Sequence, residues 1–293
     1  MGKYPRIFIR IIRPHQWVKN LLIIAPPFFG GTLFSSERVM IEMVLAFIAF
    51  SLASSAGYII NDIADINTDR LHPKKRLRPL ASGEIGIAQA LVMIAITAAI
   101  SMALSLKISP SFALVVALYL ALDILYSFYI KHIALLGSFS IALGFVLRIT
   151  AGGAASGVEI SSWLFLTTFL LSLLLAFGKR RQELLSIKGS QEFRKELSNY
   201  TTVFLDTAIA IFSTTAIVTY SLYAVDRGPR IFIATVPFVC YGVLRYLYLV
   251  QNRGEGDPTE ALLSDRALFA CVFLWIVVTA LIINFNYLLG LFP

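Results

Sequence analysis

Apolar residues run along this chain in long stretches separated by short polar links. Nine stretches approach the roughly 20 residues that a helix needs to cross a bilayer: about 17–34, 39–60, 86–106, 110–130, 133–156, 160–178, 203–224, 231–250 and 268–290. The pattern predicts an all-α, polytopic membrane protein, a bundle of nine transmembrane helices in one integral-membrane domain over residues 1–293. The first stretch is the least regular, because Pro26 and Pro27 kink or break a helix. Arg6, Arg10 and Arg13 interrupt any early apolar core, so no cleavable signal peptide is expected. Only three residues follow the last stretch, so no separate C-terminal domain is expected.

Composition agrees. Of 293 residues, 58% are apolar or aromatic and 14% are charged, against about 45–50% and 25% in soluble domains. A water-soluble enzyme of this size has too little interior for so much apolar side chain, and the disordered, fibrous and disulfide-rich classes fail on the same numbers. Cys240 and Cys271 fall in predicted helices and form no disulfide or metal pattern. His15, His72 and His132 lie too far apart in sequence to suggest zinc.

Charge placement orients the bundle, since Lys and Arg near helix ends mark the cytoplasmic side. The N-terminal stretch carries Lys3, Arg6, Arg10, Arg13 and Lys19, and the links after the second and sixth stretches are equally rich. The opposite links hold only Arg38, Lys107, Arg227 and Arg230. This places the N-terminus in the cytoplasm and the polar segments 61–85 and 179–202 on the cytoplasmic face of an inner or plasma membrane. The net charge of +8 is therefore mostly a topology signal, reinforced by attraction to anionic lipid, and no evidence for a nucleic-acid partner. Such a bundle is compatible with a homo-oligomer.

Candidate chemistry begins at Asn61-Asp62-Ile63-Ala64-Asp65-Ile66-Asn67-Thr68-Asp69-Arg70. Asp62, Asp65 and Asp69 stand at i, i+3 and i+7, one stripe of an α-helix. Carboxylates near a membrane are costly and tend to be functional. Mg²⁺ would reconcile them, since it takes one or two carboxylates, keeps waters and is completed by substrate phosphates. The plainer reading is a solvated helical extension paired with the arginines that follow. Directly after comes a proline-stiffened basic loop with Lys74, Lys75, Arg76 and Arg78. On its own such a loop would face lipid headgroups. Beside carboxylates it suits a metal-bound diphosphate, the cations holding the free phosphate oxygens.

These motifs resemble the UbiA-type intramembrane prenyltransferase superfamily over essentially the whole chain. Arg13-Pro14-His15-Gln16-Trp17-Val18-Lys19-Asn20, Gly144-Phe145-Val146-Leu147-Arg148, Gly178-Lys179-Arg180-Arg181-Gln182-Glu183 and Arg245-Tyr246-Leu247 resemble its decaprenyl-phosphate phosphoribosyltransferase branch. The resemblance implies Asp62, Asp65 and Asp69 as Mg²⁺ ligands and Asn61 as an orienting group. It implies Lys74, Arg76 and Arg78 on the phosphates of phosphoribosyl diphosphate. Asp62, Asp65 and Lys179 are the residues expected to carry catalysis. Aromatic prenyltransferases of the superfamily bear a second Asp-rich motif after the sixth helix. Here that position reads Lys179-Arg180-Arg181-Gln182-Glu183, which repels a metal and attracts a phosphate. One metal site and one basic site suit two phosphorylated substrates, phosphoribosyl diphosphate and a polyprenyl phosphate, with Lys179 and Arg180 on a phosphate. The branch feeds arabinose donors for cell-wall glycans.

Weaker candidates have two readings each. Tyr126 and Lys131 either touch diphosphate or form an interfacial aromatic belt with a snorkelling lysine. Arg13, Gln16 and Lys19 either line the same mouth or set topology, and Gln16 is not required by topology. Arg148, deep in the fifth stretch, reads as structural or as lining for the lipid tail. Asp123 and Asp206 read as packing or ion-pair residues. Two other functions compete. Prenyl transfer to an aromatic acceptor needs the missing second acid cluster. A lipid-phosphate carrier favours charge near the midplane, whereas charge here gathers on one face.

Overall fold

The computed structural model describes residues 3–186, 199–226 and 230–288, so residues 187–198 of the expected polar segment and 289–290 of the last run lie outside it. Among the described residues every regular element is helical. The chain opens with α1 (Lys3–Ile12), a 3₁₀ helix (Pro14–Ile24) and the short α2 (Ala25–Phe29). There follow α3 (Glu37–Ala64), α4 (Ile66–Leu71), α5 (Ile87–Ile108), α6 (Pro110–Phe128), α7 (Leu136–Ser156) and α8 (Ser162–Ser186). The remainder is α9 (Thr202–Asp226), α10 (Val236–Tyr248), α11 (Pro258–Ser264) and α12 (Arg266–Leu288).

Eight of the expected spans are present as helices long and apolar enough to cross a membrane, the α10 span running with its flanking turns from Arg230 to Arg253. The ninth, 17–34, is built in pieces. Arg13 takes a left-handed conformation (φ 53°, ψ 62°), and a residue before proline avoids the α region, so α1 stops at Ile12. Pro26 and Pro27 then lie in the first turn of α2, where a missing N–H costs no helical bond. The double proline thus opens a helix instead of kinking one.

Two other boundaries differ from the hydropathy reading. The helix before the first polar segment continues to Ala64, carrying Asn61 and Asp62 with it, and α8 continues to Ser186, carrying Lys179–Glu183. Hydropathy marks where lipid ends, whereas Lys, Arg, Gln and Glu are good helix formers and prolong the helix beyond it.

The residues group into two compact units. One comprises Met1–Pro27, Leu33–Ser140 and Leu147–Glu159; the other comprises Phe28–Thr32, Ile141–Val146 and Ile160–Pro293. In the first, α3 packs on α5, α6, α1 and the 3₁₀ helix. Ala46, Ala49, Ala53, Ala56 and Gly57 give α3 a small-residue surface, which lets membrane helices approach closely; Ser101 of α5 donates to the Ala49 carbonyl at 2.7 Å. Phe50, Phe112 and Val116 fill the space left. On the outside of α5, Leu91, Val92, Ile96 and Ile100 are exposed, the face that lipid would cover. In the second unit α8 packs on α9, and α10 on α9 and α12, around an aromatic cluster of Tyr220, Tyr223, Phe232 and Trp275.

Gly152 of α7 lies against the first segment's backbone: a Cβ there would stand 2.0 Å from the Ile23 carbonyl oxygen. Because the neighbour is backbone, Gly152→Ala is expected to force the two apart and cost about 1–3 kcal/mol, measured as earlier thermal unfolding in detergent.

Candidate active site

Every acid of the first motif is ion-paired in the first unit. Asp62, 2% exposed, closes the membrane part of α3 and accepts from both sides: from Arg13, one of whose contacts is 2.6 Å, and from Arg78 at 3.1 Å. The same Arg78 nitrogen reaches Asp69 at 2.5 Å. Two carboxylates seven residues apart therefore meet at one cationic nitrogen. The loop makes this possible, because Leu80 is buried with Ile11, Ile59 and Ala90 and turns Arg78 back onto α3.

The expected stripe is interrupted at its middle member. Asp65 falls between α3 and α4, and its carboxylate points to a second cation, accepting from Lys131 at 2.5 Å and from Asn61 at 3.1 Å. Lys131 follows α6, so the C-terminal ends of α3 and α6 converge here. Asp65 thus stands apart from the Asp62–Asp69 pair, and among the described residues no three His, Cys, Asp or Glu side chains converge as a metal cluster. The donor set still fits Mg²⁺: two hard carboxylates gathered on one positive centre is the protein share that Mg²⁺ takes when phosphates and water supply the rest.

Of the other expected residues, Gln16 accepts from Lys19 at 2.6 Å. Lys74 and Arg76 are exposed in the loop that carries Arg78, and Tyr126 is half-buried near the end of α6.

A buried polar network runs deeper in the same unit. Arg148, 5% exposed, donates Nε to the Asn20 carbonyl oxygen at 2.9 Å and Nη2 to the Tyr119 hydroxyl at 3.1 Å. Its guanidinium also lies over the Phe50 and Tyr119 rings. Asp123 lies within electrostatic reach of Arg148 and Tyr119, and its carboxylate packs so tightly on Gly57 that a Cβ there would meet it at 2.0 Å. Arg148 thus has side-chain partners on the first segment and on α6. Asn20 and Tyr119 were not singled out: in an apolar run each reads as an isolated polar residue, and no local signal names its partner.

In the second unit the basic segment sits on the last turns of α8. Lys179 pairs with Asp257 at 3.0 Å, Arg180 with Glu183 at 2.8 Å, and Arg181 with Asp206 at 2.6 Å. Arg181 also donates to the Val250 carbonyl at 2.9 Å. Asp257 was missed, although Asp257-Pro258-Thr259-Glu260 has the signature of a helix start, and its other oxygen caps α11. Gly178 and Gly256 let the two backbones touch: a Cβ on Gly256 would lie 2.2 Å from the Gly178 carbonyl, and Tyr246 seals the contact by donating to the Gly256 carbonyl at 2.8 Å. Nearby, hydrogen bonds from Arg245 hold Asp265 down to about 2, so this link stays ionised throughout the physiological range.

A helical membrane bundle with a carboxylate–arginine cluster at the joined ends of α3 and α6 defines a class, and residues 24–277 match the UbiA prenyltransferase family, to which the chain belongs. It is 34% identical to a decaprenyl-phosphate phosphoribosyltransferase of Corynebacterium glutamicum, covering 92% of this chain and 84% of that protein. With the decaprenyl-phosphate phosphoribosyltransferase of Mycobacterium tuberculosis it shares 33% identity over 95% of this chain and 94% of the relative. Among solved structures, a UbiA homologue from Archaeoglobus fulgidus bound to GPP and Mg²⁺ superposes with a TM-score of 0.73 at 20% identity, covering 95% of this chain and 99% of that one.

Proposed function

We propose that this protein transfers 5-phosphoribose from phosphoribosyl diphosphate to a polyprenyl phosphate at the cytoplasmic face of the plasma membrane, releasing diphosphate. The observation that carries the reading is the charge reversal at the end of α8. A prenyl-diphosphate enzyme of this family needs carboxylates there, whereas this chain, a third identical to phosphoribosyltransferases, has Lys179, Arg180 and Arg181.

Asp62 and Asp69 would hold Mg²⁺, which when bound supplies charge neutralisation for the departing diphosphate. Arg13 and Arg78 are then free to turn from carboxylate to phosphate oxygens, joined by Lys74 and Arg76 from the loop. Asp65 keeps Lys131 and Asn61 together, and both are assigned to substrate binding with Tyr126, Gln16 and Lys19. Lys179 and Arg180 are assigned to a phosphate of the lipid substrate. In the reaction a lipid phosphate oxygen bonds to C1 of the ribose as the bond from C1 to the diphosphate oxygen breaks, and the electron pair leaves with diphosphate. The nucleophile is already ionised at neutral pH, so no general base is required. The protein's work is positioning and electrostatic stabilisation.

The test uses purified protein in detergent with Mg²⁺, radiolabelled phosphoribosyl diphosphate and a polyprenyl phosphate. Label is expected in the organic phase and to vanish with EDTA. Prenylation of an aromatic acid from a polyprenyl diphosphate, with no phosphoribosyl transfer, would overturn the reading.

A further inference from the structure

The first segment poses a physical question. A 3₁₀ helix rarely exceeds three or four residues, yet Pro14–Ile24 runs for eleven. Something outside it must hold it. The fixings are on the page, and they recur every three residues, the period at which 3₁₀ side chains eclipse. Trp17 donates to Ser55 of α3 at 3.0 Å. Asn20, completely buried, donates to Ser51 at 3.0 Å and Ser54 at 3.1 Å, and accepts from Arg148 of α7. Ile23 lies with its carbonyl on Gly152. Residues 17, 20 and 23 thus form one pegged edge. At the start of the segment stands Arg13, in the left-handed region, with its guanidinium on Asp62.

We infer that Asn20, locked by Arg148, is a positioning residue for the donor site: it sets the register of the 3₁₀ helix and thereby holds Arg13 where the donor's phosphates bind. The inference rests on reading the Asp62 cluster as the donor site. Its physical basis is the difference between the two helices. A 3₁₀ helix rises about 2.0 Å per residue and an α-helix 1.5 Å. Over the seven steps from Arg13 to Asn20, relaxation to α would shorten the segment by about 3.5 Å and rotate it, since each residue turns about 100° instead of 120°. Either motion takes Arg13 off Asp62. The central peg is the one that resists it, being the only one of the three hydrogen-bonded to side chains of both α3 and α7. Arg148, costly to bury in an apolar span, acquires a role that the lipid tail does not require.

The test is a cycle of variants read as KM for each substrate. Asn20→Leu removes all three bonds and is expected to raise KM for phosphoribosyl diphosphate about tenfold, the scale of one lost charge-assisted hydrogen bond. KM for polyprenyl phosphate should stay within about twofold, because Asn20 is buried and touches no substrate. Asn20→Asp should restore the donor KM, since an isosteric carboxylate keeps the bond from Arg148 and accepts from the Ser51 hydroxyl. In an Arg13→Gln background, Asn20→Leu should add nothing further. A full additive effect there, or an unchanged donor KM in a folded Asn20→Leu protein, overturns the proposal and leaves the donor-site reading intact. Should Asn20→Leu fail to fold, Trp17→Phe removes a single peg and enters the same cycle. If Arg13→Gln and Asp62→Asn both leave donor KM and turnover at wild-type values, the donor-site reading itself falls, and the proposal with it.

Discussion

Replacing Asp62 with Asn is expected to abolish Mg²⁺-dependent transfer, lowering kcat/KM by about a thousandfold or more, while leaving a folded protein. The side chain keeps its shape, so the packing at the end of α3 survives. What disappears is charge. Asp62 is one of two carboxylates that share the Arg78 nitrogen, and it also receives Arg13. Without it Asp69 is the single acid on that centre and is already committed to Arg78, while Arg13 loses its carboxylate partner, so the net charge at the site turns against a divalent ion. Turnover measured against MgCl₂ concentration separates this from a general defect: added metal should rescue little of the loss. Near-normal turnover in Asp62→Asn would remove the metal assignment. Asp65→Asn should be milder, because Asp65 engages Lys131 and Asn61 instead of the shared centre.

The second large effect is on stability. Arg148→Met is expected to destabilise the protein by about 3–5 kcal/mol, the cost of removing one partner from a buried charged network. It strands the Asn20 carbonyl oxygen and the Tyr119 hydroxyl and removes the positive charge that acts on Asp123. Pairing Arg148→Met with Asp123→Leu should recover part of that loss, because removing both of two opposite charges leaves neither uncompensated. Unfolding in detergent for the four members of this cycle checks the sign and size of the coupling. Additive losses would mean that Arg148 and Asp123 are not energetically linked.

Both effects depend on side-chain pairings, and these were unequally visible in the sequence. Asp62, Asp69 and Arg78 could be grouped from sequence because they lie within 17 consecutive residues, and clustered like charges at a membrane edge have few neutral explanations. The position of Asp65 was not visible, since a regular helix puts i, i+3 and i+7 on one face and only the break after Ala64 turns the middle member to Lys131. Lys179 and Arg180 stood out as a charge reversal against the family pattern. The partner of Lys179, Asp257, lies 78 residues away, beyond the reach of any local rule.

The sequence by itself determined the membrane bundle, eight of its spans, and the polar segments where chemistry gathers. Hydropathy and charge act residue by residue, so their sums survive without knowledge of neighbours. Only the tertiary structure decided that the first apolar run is a pegged 3₁₀ helix, that Arg13 meets Asp62, and that Arg148 meets Asn20. Those outcomes depend on which helices lie side by side, and a buried polar group takes whatever partner its neighbour presents.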